Sequence, residues 1–338
     1  MKMRNAAWAV VWLVTCLVFG APPARAEVRE VHVGRPGSVA FLPLMVMEHQ
    51  KLLEKHAKAA GLGDIKVTWP VFSGGTTIND ALLSGDLHFA SGGVTPFMLL
   101  WDRSRGSSDV RGVVAMSRMQ MYLNTRNPGV KSIKDLGAND RVAVLAPKSA
   151  MQAILLQMAS SQAFGESQYA KLDPITVGVP LATAAIAILS GKGEISSDFT
   201  VPPYAYQEMD TPGIRNILKS YDVLGGPTTF SVVYASAKFR EANPKTYTAF
   251  VAALKEAIAF INGNRDAALE SYIEISRDKT DRKLLQRMLH DPDITFEITP
   301  KNIMKYAEFM GKAGTLKARP SSWKDFFFPG EAHELPGS

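Results

Sequence analysis

The sequence predicts an α/β protein made of two related halves, each a mostly parallel sheet flanked by helices. Three observations carry this. Strand-like and helix-like segments alternate at the spacing of βαβ units. The stretch 71–98, VFSGGTTINDALLSGDLHFASGGVTPFM, is echoed by 182–202, ATAAIAILSGKGEISSDFTVP, at an offset of 106 residues. Thr77 then falls on Thr183, Leu83 on Leu189, Ser84-Gly85 on Ser190-Gly191, and Pro96 on Pro202. Upstream, Val31–Ser38 and Val142–Ser149 share the pattern V-x-V-x-x-P-x-S at an offset of 111. Turn-rich segments share Ser-Gly and Pro by chance, but two signals in one order at near-constant spacing favour a βαβαβ unit built twice.

Taken in order, residues 28–34 read as a strand and 41–60 as one helix. Its apolar side runs through Phe41, Met45, Leu52, Leu53 and Ala60, and Gly61 and Gly63 end it. Strand 65–69, helix 76–84, strand 87–90, helix 94–104 and strand 110–115 follow. Residues 117–126 read as a crossing, and 132–136 as a helical turn. The second unit is strand 141–145, helix 149–164, strand 175–179, helix 182–190, strand 194–197, helix 202–209 and strand 214–219. After the loop Gly225–Thr229, strand 230–235 returns to the first half. The carboxyl third is helical at 244–263, 265–276, 280–290 and 299–313. Pro244 sits at a first helical position, and Phe250, Val251, Leu254, Ile258 and Ile261 recur at helical spacing. Trp323 and Phe326–Phe328 are expected to tuck back onto the body. The expected division is 27–118 plus 231–338 for the first lobe and 119–230 for the second, with paired strands as the hinge.

Residues 1–26 form an export signal: Lys2 and Arg4, an apolar run over 6–20, and the small-x-small site Ala24-Arg25-Ala26. The apolar run is shorter than the roughly 20 residues a membrane span needs. Cleavage there leaves Glu27 first and places the protein in the periplasm. Cys16 allows a lipid-anchored alternative, which Thr15 disfavours. The only Cys lies in this segment, so the remaining chain has no disulfide and no Cys-based metal site. The formal charge of +6 falls to +3 without Lys2, Arg4 and Arg25. There is no long Lys/Arg block and no basic stretch interleaved with aromatics, so nucleic acid is not an expected partner.

Ligands of open α/β sheets bind beyond the carboxyl ends of the strands. Five loops lie there: Arg35–Phe41, Ser73–Thr77, Ser91–Pro96, Pro147–Met151 and Phe199–Tyr204. Free N–H groups at helix starts attract anions, and glycine lets a ligand approach the backbone. The candidate ligand contacts are Ser38, Ser73, Gly74, Gly75, Thr76, Gly92, Gly93, Thr95, Ser149 and Thr200. For any single hydroxyl, capping of its own helix is the competing role. Arg35, Arg118 and Lys148 lie at strand ends and could neutralise an anion. Asp198 could accept from a ligand amine or hydroxyl, so anion and zwitterion both stay open. No catalytic set is visible. The six His include no His-x-x-x-His, there is no Gly-x-Ser-x-Gly and no phosphate loop, and His49 and His56, seven apart, make only a weak metal pair. No cofactor is expected.

Ala81–Leu87 (A-L-L-S-G-D-L), the Gly-rich turn Ser91–Pro96, and Ile133–Leu136 with strand Val142–Val144 come in a distinctive order. Ser190-Gly191, Asp198–Tyr204, Phe239-Arg240 and Asn243-Pro244 continue it. Over about 28–328 this order resembles the periplasmic solute-binding proteins of ATP-binding-cassette (ABC) importers, of the nitrate/sulfonate/taurine type. It is similar, too, to proteins that bind thiamine-pyrimidine precursors. The resemblance implies a two-lobed type II periplasmic-binding-protein fold that closes on a small organic anion. It also implies delivery to an ABC importer permease, a monomer, and no catalysis. By resemblance, Ser38, Ser73–Thr76, Gly92–Thr95, Ser149 and Thr200 carry over as ligand contacts. The chain departs from the family at His88, where Asp is frequent, and at Asp198, where His is frequent. The alternatives are a periplasmic enzyme or a ligand-sensing protein on the same scaffold.

Overall fold

The computed structural model describes residues 26–338. Residues 1–25, on which nearly all of the export signal expected at 1–26 falls, Cys16 included, lie outside the described residues, as do the side chains of Thr76 and Glu331.

The first sheet begins with β1 (Glu30–Pro36), whose chain continues through α1 (Leu42–His49) and α2 (Leu52–Ala59) to β2 (Lys66–Thr68) and β3 (Val71–Phe72). Then come α3 (Gly75–Ser84), β4 (Phe89–Gly93), α4 (Val94–Ser104) and β5 (Val110–Arg118). The expected single helix over 41–60 is broken at Gln50–Lys51. Lys51 takes a left-handed backbone, φ 52°, which turns α2 onto a new axis. The chain then enters the second sheet with β6 (Tyr122–Thr125), β7 (Val142–Val144), α5 (Met151–Phe164), β8 (Thr176–Gly178), α6 (Leu181–Ser190), β9 (Ser197–Thr200), α7 (Tyr204–Met209) and β10 (Arg215–Lys219). After α8 (Ser220–Leu224), β11 (Thr229–Ser236) returns to the first sheet. The remainder is α9 (Ala237–Ala242), α10 (Pro244–Gly263), α11 (Arg265–Ser276), α12 (Arg282–Leu289), β12 (Thr295–Phe296) and α13 (Met304–Lys312).

Strand order is β12-β5-β11-β4-β1-β2 in the first sheet, with β3 beside β1, and β10-β6-β9-β7-β8 in the second. Each sheet has a parallel trio, β4-β1-β2 and β9-β7-β8, next to an antiparallel strand, β11 or β6. The two sheets therefore share one plan. β5, β11 and β12 pair antiparallel, so the first sheet is more mixed than the sequence suggests. α3 and α6 begin and end at the 106-residue offset, and each is closed by a left-handed glycine, Gly85 at φ 89° and Gly191 at φ 66°. That conformation is costly for any other residue, which is why Ser-Gly recurs. The proline echo is less exact: Pro96 lies inside α4, whereas Pro202 precedes α7.

The passage between the sheets is buried at Met119, Met121 and Tyr122. α10 packs its apolar stripe, Phe250 to Ile261, against α1 and α2. Its first turn is held from the other end of the chain: Glu27 accepts from the Lys245 and Thr246 N–H groups at 2.9 and 2.7 Å, and from Thr246 Oγ1. The aromatic tail folds back as expected. Trp323 and Phe326–Phe328 are buried. The Phe328 N–H donates to Gly112 O at 2.9 Å, and a side chain at position 112 would strike the Phe327 ring at 2.5 Å.

Among the described residues no helix is long and apolar enough to cross a membrane, and no group of three His, Cys, Asp or Glu could hold a metal. His49 pairs with Ser271 and Glu274, and His56 with Glu256, so the two face different neighbours. His88 stacks on Phe239 at 4.8 Å, and burial lowers its pKa.

Candidate functional site

A cavity of about 560 Å³ lies between the carboxyl ends of the two parallel trios. All five loops named from the sequence contribute to it. From the first sheet come Pro36, Gly37, Ser38 and Phe41, then Ser73–Gly75 with Thr77, then Gly93 and Pro96. From the second come Leu145–Pro147, Ser149–Gln152 and Val201. A sixth segment, Gly178–Leu181, completes the wall together with Phe72 and Phe230. At the 106-residue offset it falls on Phe72–Gly75, so extending the echo upstream would have found it.

Of the fourteen candidate contacts, six line this cavity: Ser38, Ser73, Gly74, Gly75, Gly93 and Ser149. Ser38 also caps its own short turn, accepting from the Ala40 N–H at 3.3 Å. Ser73 and Ser149 have no side-chain hydrogen bond to any described residue. Two glycines allow close approach: a Cβ at Gly75 would meet Pro96 at 2.9 Å, and one at Gly93 would meet Met151 Sδ at 2.7 Å. The Thr76 side chain lies outside the description.

The other seven do not line the cavity, each for a physical reason. Gly92 leaves room for Tyr234, whose hydroxyl stands 3.0 Å from where a Cβ would be and donates to Asn79 Oδ1 at 2.6 Å. Thr95 is buried and donates to the Ser149 carbonyl at 3.0 Å, a bond from α4 to the entry of α5. Arg35 is 2 % exposed and grips Glu48 on α1 at 2.6 Å. Arg118 is paired with Glu297. Lys148 is exposed, on a left-handed turn with φ 65°.

Asp198 and Thr200 share one face of β9, as residues two apart must, and both are buried beneath α7. Asp198 lies beside Glu208 of α7 and the Thr200 hydroxyl, and Asn124 Nδ2 donates to Glu208 Oε2 at 2.9 Å. Burial raises both carboxyls, and the proximity of Glu208 raises Asp198 further; Glu208 is pushed up to about 7. Two buried carboxyls side by side disfavour double ionisation. Val201, one residue on, reaches the cavity instead.

Among the described residues the cavity wall therefore has no Asp, Glu, His, Lys or Arg. Its polar groups are the hydroxyls above, the Gln152 amide and backbone N–H. α3, α4, α5 and α6 all start at this wall. Their N-cap residues are Gly74, Gly93, Ala150 and Pro180, and none makes a side-chain capping bond. The first-turn N–H groups left over by such starts need acceptors from elsewhere. A smaller adjoining recess shares Gly37, Ser38 and Leu181 and carries Asp278. That carboxylate already accepts from Tyr272 Oη at 2.6 Å and the Thr280 N–H at 2.9 Å.

Solved structures share this architecture. The alkanesulfonate-binding protein SsuA of Xanthomonas axonopodis pv. citri, bound to MOPS, matches with a TM-score of 0.65 and 18% identity, over 86% of this chain and 95% of that one. The periplasmic aliphatic sulphonate binding protein SsuA of Escherichia coli matches with a TM-score of 0.67 and 17% identity, over 92% and 95%. The periplasmic nitrate-binding protein NrtA of Synechocystis PCC 6803 matches with 0.62 and 13%, over 88% and 84%. The fold is that of periplasmic binding proteins. No curated protein matches by sequence. The NMT1-like family model matches residues 24–275 of the 338, and the chain belongs to the NMT1-like family.

Proposed function

We propose that the protein is an exported solute-binding protein. It captures a small organic anion between two lobes, 27–118 plus 231–338 and 119–230, and passes it to the permease of an ABC importer. One observation carries the reading: loops from both sheets enclose a cavity whose wall has no titratable side chain. Such a site can hold a solute by main-chain N–H groups and hydroxyls, but it has no base beside Ser38, Ser73 or Ser149 to activate a nucleophile. Binding of alkanesulfonates and nitrate by proteins of this fold supports an oxyanion as cargo. The leader 1–26 puts the protein in the periplasm, and it acts as a monomer.

The test is a melting panel on purified protein with taurine, alkyl and aryl sulfonates, nitrate, bicarbonate, carboxylates and pyrimidines. A ligand at 100 times its Kd adds roughly 2.7 kcal/mol of stability. An organic anion is expected to raise the melting temperature and to be recovered unchanged. Turnover of that compound would move the protein to the enzyme class.

A further inference from the structure

The wall chemistry narrows the cargo of this site, and the narrowing rests on the solute-binding reading above. We propose that the cavity selects a monoanion with an aromatic body, an aryl carboxylate or sulfonate, and that the Gln152 amide helps to read its oxyanion.

Four helices of ten, eleven, fourteen and ten residues open onto one cavity. Ser, Thr, Asp, Asn and Gly are the usual caps of such starts, and of these only Gly offers no side-chain acceptor. Here Gly74, Gly93, Ala150 and Pro180 provide no side-chain cap. Each start carries a partial positive charge, equivalent to roughly half a unit, and the wall has no cationic side chain to compete for an anion.

A second, independent observation points the same way. Gln152, in the first turn of α5, is 5 % exposed, faces the cavity, and its side-chain amide has no partner among the described residues. The amide is thus free to hydrogen-bond a guest in the cavity.

The remaining wall is apolar. Phe41, Phe72 and Phe230 line it with Leu145, Met151 and Val201. At about 560 Å³ it is of the size that encloses a drug-like molecule. Nitrate would leave most of that space as water against hydrocarbon. A zwitterion would bring an ammonium group into a wall without a carboxylate, and Asp278 in the adjoining recess is already engaged by Tyr272 and Thr280. An arene fills the apolar part and turns one oxyanion toward the helix starts.

Titration calorimetry on the purified protein tests this with benzoate, 4-hydroxybenzoate, benzenesulfonate, toluenesulfonate, benzamide, taurine and nitrate. At least one aryl anion is expected to bind ten-fold or more tightly than taurine, nitrate and neutral benzamide. Gln152→Leu is expected to weaken that anion about ten-fold, while Gln152→Asn retains part of the affinity. Benzamide binding as well as benzoate would overturn the inference, because the helix starts would then not be reading charge. Preference for taurine or nitrate would overturn it and leave the solute-binding reading standing; binding of none would overturn both. The wild-type comparison decides the matter even if Gln152→Leu does not fold.

Discussion

Asp198 shows at the scale of one residue how a strand end misleads. Its place near the end of β9 suggests a ligand contact, but alternation along the strand turns it under α7 beside Glu208. The pair makes stability depend on pH. Both groups titrate higher folded than unfolded, so between about pH 4 and 7 the folded state binds more protons and stability falls as pH rises. Glu208→Gln removes one of the two charges. It is expected to flatten the decline and to raise stability at pH 8 by roughly 3 kcal/mol, at ~1.4 kcal/mol per pKa unit. Urea unfolding at pH 5 and pH 8 measures it; an unchanged slope would show that the pair is not the cause. Arg35 is the same lesson with the opposite charge. Sequence places it at a strand end, but only packing against α1 reveals Glu48 as its partner. Glycine and hydroxyl positions were more legible than charged ones, because Ser38, Ser73–Gly75, Gly93 and Ser149 lie on cavity-lining loops whose place the strand ends dictate. Gln152 carried no motif and emerges only from its burial at the wall.

At the scale of elements, legibility followed the strength of the local stop signals. α10 and α11 fall on their expected limits because Pro244 starts the one and Asn264 caps the other, accepting from the Ala267 N–H at 2.9 Å. The break between α1 and α2 rests on a left-handed Lys, which no composition rule marks. α8, α9 and β12 are too short to show a period. The contact between α4 and α5 has a functional prediction. Thr95 Oγ1 donates to the Ser149 carbonyl across the two sheets, so Thr95→Val removes one bond at nearly constant volume. A net hydrogen bond is worth about 1 kcal/mol, which would move the lobe closure proposed above about five-fold. Small-angle scattering of ligand-free protein is expected to show a larger radius of gyration for the variant, and an identical profile would exclude this bond as a latch.

At the scale of the molecule, other bonds tie the carboxyl-terminal helices to the second sheet's elements. Arg287 pairs with Asp210 at 2.8 Å, Gln207 donates to Thr280 at 3.0 Å, and Tyr206 donates to Asp291. The exposed Arg287–Asp210 pair contributes little by itself. The repeat made the architecture readable from sequence, since two copies of one plan must each bury a sheet. The join was less readable, because β5 and β11 pair with each other in the first sheet. The bond from Glu27 ties the start of the described chain to the first turn of α10. Loss of Glu27 would discard the staple of the longest helix. Under the processing proposed above, a cut one bond late is expected to give a less heat-resistant protein. Glu27→Ala mimics the late cut and is expected to cost about 1 kcal/mol, or roughly 2–4 °C in Tm, by calorimetry.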